Sequence, residues 1–482
     1  MTVILGGGIS GLSAAFYASE KRLRSLVLLE SSDRLGGWIR SKESPNGTIF
    51  EMGPRTVRRP NVASANNTLN LIDRLDLTNK LVPIPSSHPS AKNRMIYVGD
   101  KLHLLPNSLS SMFRTLEPFD RPLISALWND LRSPRVTIED ESMYSFAERR
   151  LGKDVADNLI SSMLCGICAG DAKKISVNFL MASLFEAEQK HGSITKGLLI
   201  NRFKKLFSKK ESSDSDGKVV GGDERAGANS VELADREKWS VWGLKGGLEQ
   251  LPRRLTDRVK SQGVDVRPNE RCGKITFRPD SVELEVGKET RTCSRVISAL
   301  SAKNLAPLLE RQHPQLAREL SAIPMVTVAV VNLEFPGKCL PLDAFGFLVP
   351  PKERLPILGV IFDSCVFPNE SSTVLTVMMG GAWFQEYFGS SPNEDYLLSV
   401  ALDHVKKILG IKADPTSHNV AILKDCIPQH VVGHKQRLFR IQNYISAHKL
   451  PLALCGSSYQ GVGLNDVILS AKQAVNDITD RQ

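Results

Sequence analysis

The chain has 482 residues, more than one hydrophobic core normally serves, so two or three lobes are expected. At 41% hydrophobic and 24% charged it reads as soluble and globular, and its best apolar stretch, Ile323 to Leu333, is too short and too interrupted by Pro324 to span a bilayer. The net charge of +10 and a pI near 9.1 suit a solvated basic surface, an anionic membrane face or an acidic ligand, while the absence of any aromatic-studded basic motif argues against nucleic acid.

The apolar run Val3-Ile4-Leu5 meets Gly6-Gly7-Gly8-Ile9-Ser10-Gly11, and a second run, Leu26 to Leu29, ends on Glu30. This order predicts a dinucleotide-binding βαβ unit. Its glycines serve a tight turn, close backbone approach to a pyrophosphate, and close packing of helix on strand. The phosphates then sit on the helix N-terminus, and Glu30 stands where an acid takes a ribose hydroxyl. With only Met1 and Thr2 ahead of the first strand, no cleavable leader is expected. NAD and FAD fit this unit equally well.

Next come Arg34-Leu35-Gly36-Gly37-Trp38 and Glu51-Met52-Gly53-Pro54-Arg55. The Gly36-Gly37 doublet, a second turn close to the phosphates, suits an extended FAD better than a nicotinamide cofactor. Residues 61 to 80 read as an amphipathic helix, and Asn93 to Leu105 as a hairpin about Gly99-Asp100. From 109 to 210 the apolar spacing is helical, ending in Gly197 to Phe207, where Leu, Ile and Phe alternate with Lys and Arg. That end fits a membrane-surface helix and a core-facing helix with a basic outer side about equally. Residues 208 to 236, rich in Ser, Asp, Gly and Lys, read as a disordered insertion.

Order is expected to resume at Trp239. Gly246 to Pro252 opens a helix, Val264 to Val266 is a strand, 274 to 286 a hairpin, and Arg295 to Leu300 a strand returning to the first sheet. Alternation in Val326 to Leu333 and Thr373 to Met379 predicts a second, mixed sheet. Leu452 to Gly456, then Gly461-Val462-Gly463-Leu464 and a helix to about 478, read as strand, glycine turn and helix. No second G-x-G-x-x-G follows a mid-chain strand, which favours an oxidase over a reductase. Cys165-Gly166-Ile167-Cys168 lacks the partners of a zinc site, and His430 and His434 lack the Glu of a zinc helix, so no metal is expected.

The order Gly6 to Gly11, Glu30, Arg34 to Gly37, Glu51-x-Gly53-Pro54-Arg55, Val296-Ile297-x-Ala299 and a C-terminal glycine turn resembles the amine oxidase and phytoene desaturase superfamily of flavoproteins. Within it, Arg34 to Arg40, Asn93-Arg94, Phe345 to Pro350, Cys426 to Gln429 with Gly433-His434, and Tyr459 to Val462 resemble the protoporphyrinogen oxidases of animals. The likeness covers nearly the whole chain except 208 to 236. It implies an α/β fold: a Rossmann-like FAD domain (1–85, 237–302, 430–482), a mixed-sheet substrate domain (86–107, 303–429) and an all-helical membrane-associating lobe (108–207).

The resemblance further implies oxidation of protoporphyrinogen IX to protoporphyrin IX, the penultimate step of heme synthesis, by FAD with O2 as acceptor and H2O2 as by-product. Six electrons leave in three two-electron turns, the flavin carries the chemistry, and no catalytic side chain is expected. The FAD residues it implies are Gly6, Gly7, Gly8, Ile9, Ser10, Gly11, Glu30, Ser31, Trp38, Gly53, Pro54, Arg55, Thr56, Arg271, Val462, Gly463 and Leu464. For substrate it implies Arg94 on a propionate, in a slot lined by Gly166, Phe345, Leu348, Ile361 and Met378. Without it, Arg94 reads as a solvated arginine and the others as plain core. It also implies a peripheral homodimer on the outer face of the mitochondrial inner membrane, handing product to ferrochelatase. Two rivals stand beside this reading. An amine or polyamine oxidase needs an aromatic cage, for which Tyr459 is the one candidate; a flavin-free binder like the GDP dissociation inhibitors has no need of an open pyrophosphate turn.

Overall fold

A computed structural model describes residues 1–23, 25–60, 62–200, 228–367 and 371–480. Five parallel strands make the sheet of the first domain, in the order Asp265–Arg267, Leu26–Leu29, Thr2–Leu5, Arg295–Ser298 and Leu452–Leu454. Alternation along them feeds two cores. Ile4, Leu28 and Ile297 pack against the helices Ile9–Glu20 and Leu464–Asp480, where Ala14, Ala15 and Ala471 allow the helices to approach closely. Val3, Leu5 and Val296 face the other way, onto the helices Ala302–Leu309 and Pro314–Ser321 and a three-stranded meander. The predicted hairpin is two thirds of that meander: Cys272–Phe277 and Val282–Val286 are followed by Glu289–Cys293, whose mostly polar, outward side chains hid it from a hydrophobic reading.

The second sheet has seven strands, in the order Ser417–Pro428, Met325–Pro336, Ser372–Gly381, Ile357–Phe362, Gly346–Leu348, Met95–Val98 and Lys101–Leu104. Gly346–Leu348 pairs in parallel with Met95–Val98 and every other pairing is antiparallel, so the sheet is mixed. The helix Glu394–Leu409 seals one face with Leu397, Ala401 and Val405. A small sheet absent from the sequence reading joins Val57–Arg58 and Leu81–Pro85 to either side of Trp239–Leu244.

From 109 to 200 every regular element is helical. Met143, Ala147, Leu164 and Ile175 form this lobe's core, beside a wholly buried pair in which Arg150 Nε donates to Asp130 Oδ1 at 2.9 Å. The helix expected over 61 to 80 is Ala63–Arg74 with a separate turn at Thr78–Lys80. The basic tip 201–207 and most of the expected insertion lie outside the described residues, but the insertion's last nine residues are a helix, Ala228–Arg236. Polar composition misled there: Ala234 is buried, the Ser230 hydroxyl donates to Asp73, and Arg59 reaches Asp235 at 2.8 Å, which ties this helix to Ala63–Arg74.

Candidate functional site

The glycine turn is built by backbone crowding. Gly6 sits at φ +97, and a Cβ on Gly11 would run into the Gly6 carbonyl oxygen, so helix and turn meet only without side chains. Gly8 differs: a Cβ there would meet nothing nearer than Gly37 Cα at 3.9 Å, so this glycine keeps open space rather than packing. The helix Ile9–Glu20 starts on Gly8 with no side-chain cap and no acid in its first turn, which leaves its N-terminus to an outside anion. Gly36 bridges to Gly8, its N–H donating to the Gly7 carbonyl at 2.8 Å. Arg34, not singled out from sequence, clamps this second turn by donating to the Gly37 and Ile39 carbonyls at 2.6 and 2.9 Å.

Glu30 is fixed at the rim. Its Oε2 accepts the Gly7 N–H at 2.7 Å, while Oε1 accepts from Ser31 Oγ and from the N–H and Oγ of Ser32. Backbone bonds from Asn269 to Ser32 and from Glu270 to Glu30 lay the next segment alongside, which brings exposed Arg271 to the same end. At the other end Gly53 lies against the Trp38 carbonyl, and the C-terminal turn joins it: Gly456 abuts Ser10, Leu464 and Ile9 pack on the same core, and Asn465 Nδ2 donates to the Arg58 carbonyl at 2.9 Å. The turns of Gly6, Gly36, Gly53 and Gly461 thus form one extended cradle. Its residues fit a dinucleotide with a further ring beyond the pyrophosphate.

Arg55 does not offer its guanidinium to that cradle. It donates to Asp363 Oδ1 at 2.9 Å, Thr376 Oγ1 donates to the other oxygen at 2.6 Å, and Asn332 Nδ2 reaches both Thr376 Oγ1 and the Glu51 carbonyl. This buried chain joins the first domain to the second sheet. Asp363 was missed from sequence, although a single carboxylate just after the apolar run Ile357 to Phe362 is a signal. Beside it, burial pushes the Glu51 carboxyl up to about 7, against the bonds it accepts from Leu248 N–H and Ser41 Oγ.

Of the proposed slot residues, Leu348, Ile361 and Met378 share one face of the second sheet by register, while Phe345 lies just ahead of the strand Gly346–Leu348. Phe347, Val349, Val360, Phe362, Val377 and Met379 are buried, while Phe345, Leu348, Ile361 and Met378 are each part-exposed on the same strands. Gly346, at φ +137, breaks the alternation between its neighbours: Phe347 enters the core beside Phe362, at 6.2 Å between ring centroids, and Phe345 turns out to lie under Arg94. Exposed Gly166, on the helix Ser161–Cys168, faces Leu348, whose Cδ2 would be 2.8 Å from an added Cβ. Met378 packs with Cys165 and Ala169 of the same helix end. At the far end the Arg94 guanidinium lies 4.8 Å from the Phe345 ring centroid, and burial, then the Arg58 charge, holds it below its ordinary value.

Other candidates take structural places. Cys165 and Cys168 are buried free thiols, and burial holds Cys168 up to about 12. His430 and His434 stack at 4.0 Å and bond the Ser457 and Tyr459 carbonyls, each at 3.0 Å; burial, with His434 beside it, drives His430 down to about 3. Tyr459 is buried in the core of the first domain and lines no open cage.

The family model for flavin containing amine oxidoreductases matches residues 9–479. The chain is 40% identical to protoporphyrinogen oxidase of Homo sapiens, with 98% of this chain and 97% of that one aligned, and 33% identical to protoporphyrinogen oxidase of Schizosaccharomyces pombe over 97% and 96%. A solved structure from Exiguobacterium sp. 255-15 shares the fold at a TM-score of 0.78 and 23% identity, with 100% and 99% covered. Cradle, sheet topology and full-length similarity agree: the chain belongs to the flavin containing amine oxidoreductases and, within them, to the protoporphyrinogen oxidase family.

Proposed function

We propose that this protein is the FAD-dependent oxidase that converts protoporphyrinogen IX to protoporphyrin IX, with O2 as final acceptor and H2O2 as by-product. The carrying observation is the part-exposed set Phe345, Leu348, Ile361 and Met378 beside otherwise buried strand residues, closed by Gly166 and ending at Arg94, whose guanidinium has no carboxylate partner among the described residues. An apolar macrocycle with acid tails asks for such a surface: flat and greasy along its length, cationic at one edge.

Bound FAD supplies the ring that accepts a hydride at each of three two-electron turns. Gly6 to Gly11 receive its pyrophosphate, Glu30, Ser31 and Arg271 its adenosine end, and Trp38, Gly53 to Thr56 and Val462 to Leu464 its flavin end, with Arg55 contributing backbone because its side chain is held by Asp363. Leu348, packed on Gly166, closes the slot and excludes water, Ile361 and Met378 fix the depth of the macrocycle, and Arg94 sets which edge points out. Tyr459, being buried, leaves the amine oxidase reading without its cage.

The test is aerobic incubation with protoporphyrinogen IX while porphyrin fluorescence is followed above the uncatalysed rate. Excess fluorescence supports the reading, and its absence with flavin bound rejects it. Arg94→Ala is expected to raise KM about 30-fold with flavin content unchanged. Equal loss of flavin would make Arg94 structural instead.

The same reading puts the enzyme on the outer face of the mitochondrial inner membrane as a peripheral homodimer delivering product to ferrochelatase, as the resemblance implies. Leu109, Phe113 and Trp128, 80%, 65% and 62% exposed on the helical lobe, support the membrane part; no described helix is long and apolar enough to cross a bilayer. Co-sedimentation with anionic vesicles checks it, and binding unchanged in a triple Ser variant of these residues counts against it.

A further inference from the structure

The macrocycle carries two propionates, on neighbouring pyrroles, and Arg94 accounts for one. Arg58 stands at the same edge. Its register partner Val241 belongs to the apolar cluster of Ile84, Val366, Phe345 and Phe367, and Phe345 is the ring on which the Arg94 guanidinium lies. The Arg58 carbonyl accepts Asn465 Nδ2 at 2.9 Å, so its backbone is fixed between the C-terminal glycine turn and the small sheet. Its side chain is exposed, and among the described residues neither the Arg58 nor the Arg94 guanidinium has a carboxylate or carbonyl partner. The adjacent Arg55 and Arg59 are different: both are buried, on Asp363 and Asp235.

Two like charges facing one apolar cluster repel, and neither is compensated among the described residues; the arrangement is relieved when an anion lies between or across them. We infer that Arg58 is the second propionate anchor, paired with Arg94 across Phe345, and that together they select a macrocycle with two acid groups on one edge. Each guanidinium offers a two-pronged donor set to a carboxylate, which fixes rotation of the ring in the slot as well as its edge. Arg58 is a specificity-determining residue in this scheme and takes no part in the oxidation itself. The inference rests on the reading of Arg94 as a propionate anchor.

The experiment compares protoporphyrinogen IX with its dimethyl ester on FAD-loaded wild type, Arg58→Gln, Arg58→Lys and Arg94→Ala. Arg58→Gln is expected to raise the diacid KM about ten-fold, leave kcat within about two-fold and flavin content unchanged, and narrow the preference for diacid over diester. Should Arg58→Gln lose flavin, Arg58→Lys carries the test, because it keeps the stem and the charge but not the fork; it is expected to raise the diacid KM about three-fold and leave the diester KM alone. If the diacid KM is unchanged in the informative Arg58 variant while Arg94→Ala raises it, this inference is overturned and the reading of Arg94 stands. If neither position affects it, both fall.

Discussion

The proposed cofactor cradle and the proposed substrate slot are built on opposite principles. The cradle is made largely of backbone: Gly6, Gly11 and Gly53 hold it by having no Cβ, and most of its polar contacts have a main-chain N–H or carbonyl on at least one side, the Ser31 and Ser32 hydroxyls on Glu30 being side-chain contacts. The proposed slot draws on five separate segments, carrying Arg94, Gly166, Phe345 to Leu348, Ile361 and Met378, which the sequence keeps apart. A backbone site tolerates almost nothing at its tight positions, because a missing void cannot be relaxed away. A side-chain site yields by degrees, since neighbours repack around a change.

That contrast is broken or sharpened by substitution. The largest effect is expected from Gly11→Ala, whose Cβ collides with the Gly6 carbonyl: flavin absorbance and all activity are lost, and folded protein with bound flavin would refute the backbone account. Gly8→Ala separates packing from ligand approach. With no neighbour nearer than 3.9 Å, the flavin-free protein should melt as wild type does while flavin binding weakens about ten-fold. Next in size is Asp363→Ala, which strands buried Arg55 at the junction and should cost about 4 kcal/mol in denaturant unfolding, with slot and cradle both disturbed.

Glu51 links the same junction to pH. With its folded pKa raised from 4.5 to about 7, the folded state holds the proton more tightly, so Glu51's own contribution to stability is greatest below about pH 4.5 and falls as pH rises to 7, by about 3 kcal/mol. Glu51→Gln should flatten melting temperature across that window, and an unchanged slope would mean another group sets it. The smallest effect belongs to the slot: Met378→Ala should raise KM about three-fold with flavin retained, because Cys165 and Ala169 still close the wall. A loss as severe as that of Gly11→Ala would erase the distinction drawn between the two sites.

The same contrast explains what could be read from sequence. The Gly6 to Gly11 turn, its flanking strands and Glu30 were legible because every part lies within 30 residues and each glycine has a local geometric reason. The slot was legible only through resemblance: alternation along Ile357 to Phe362 or Ser372 to Gly381 marks two faces but does not say which one a helix covers, and Glu394–Leu409 decides that from elsewhere in the chain. Asp363 and Arg58 escaped for a related reason. A lone charge in sequence looks solvated until its opposite number is brought against it, as Arg55 is to Asp363, or until a like charge is, as Arg94 is to Arg58. The strand Glu289–Cys293 and the small sheet around Trp239–Leu244 escaped because polar surface strands and two-residue strands carry almost no periodicity.

The strand order of the first sheet bears on how the protein is made. Thr2–Leu5 is made before its neighbour Arg295–Ser298, which follows almost three hundred residues later, and the edge strand Leu452–Leu454 comes later still. Until then the glycine turn lacks the Ala299 carbonyl beside Gly6 and the Gly456 contact to Ser10. That edge of Thr2–Leu5 therefore stays unpaired until Arg295–Ser298 has been made, and the glycine turn gains its full set of neighbours only once Gly456 has followed.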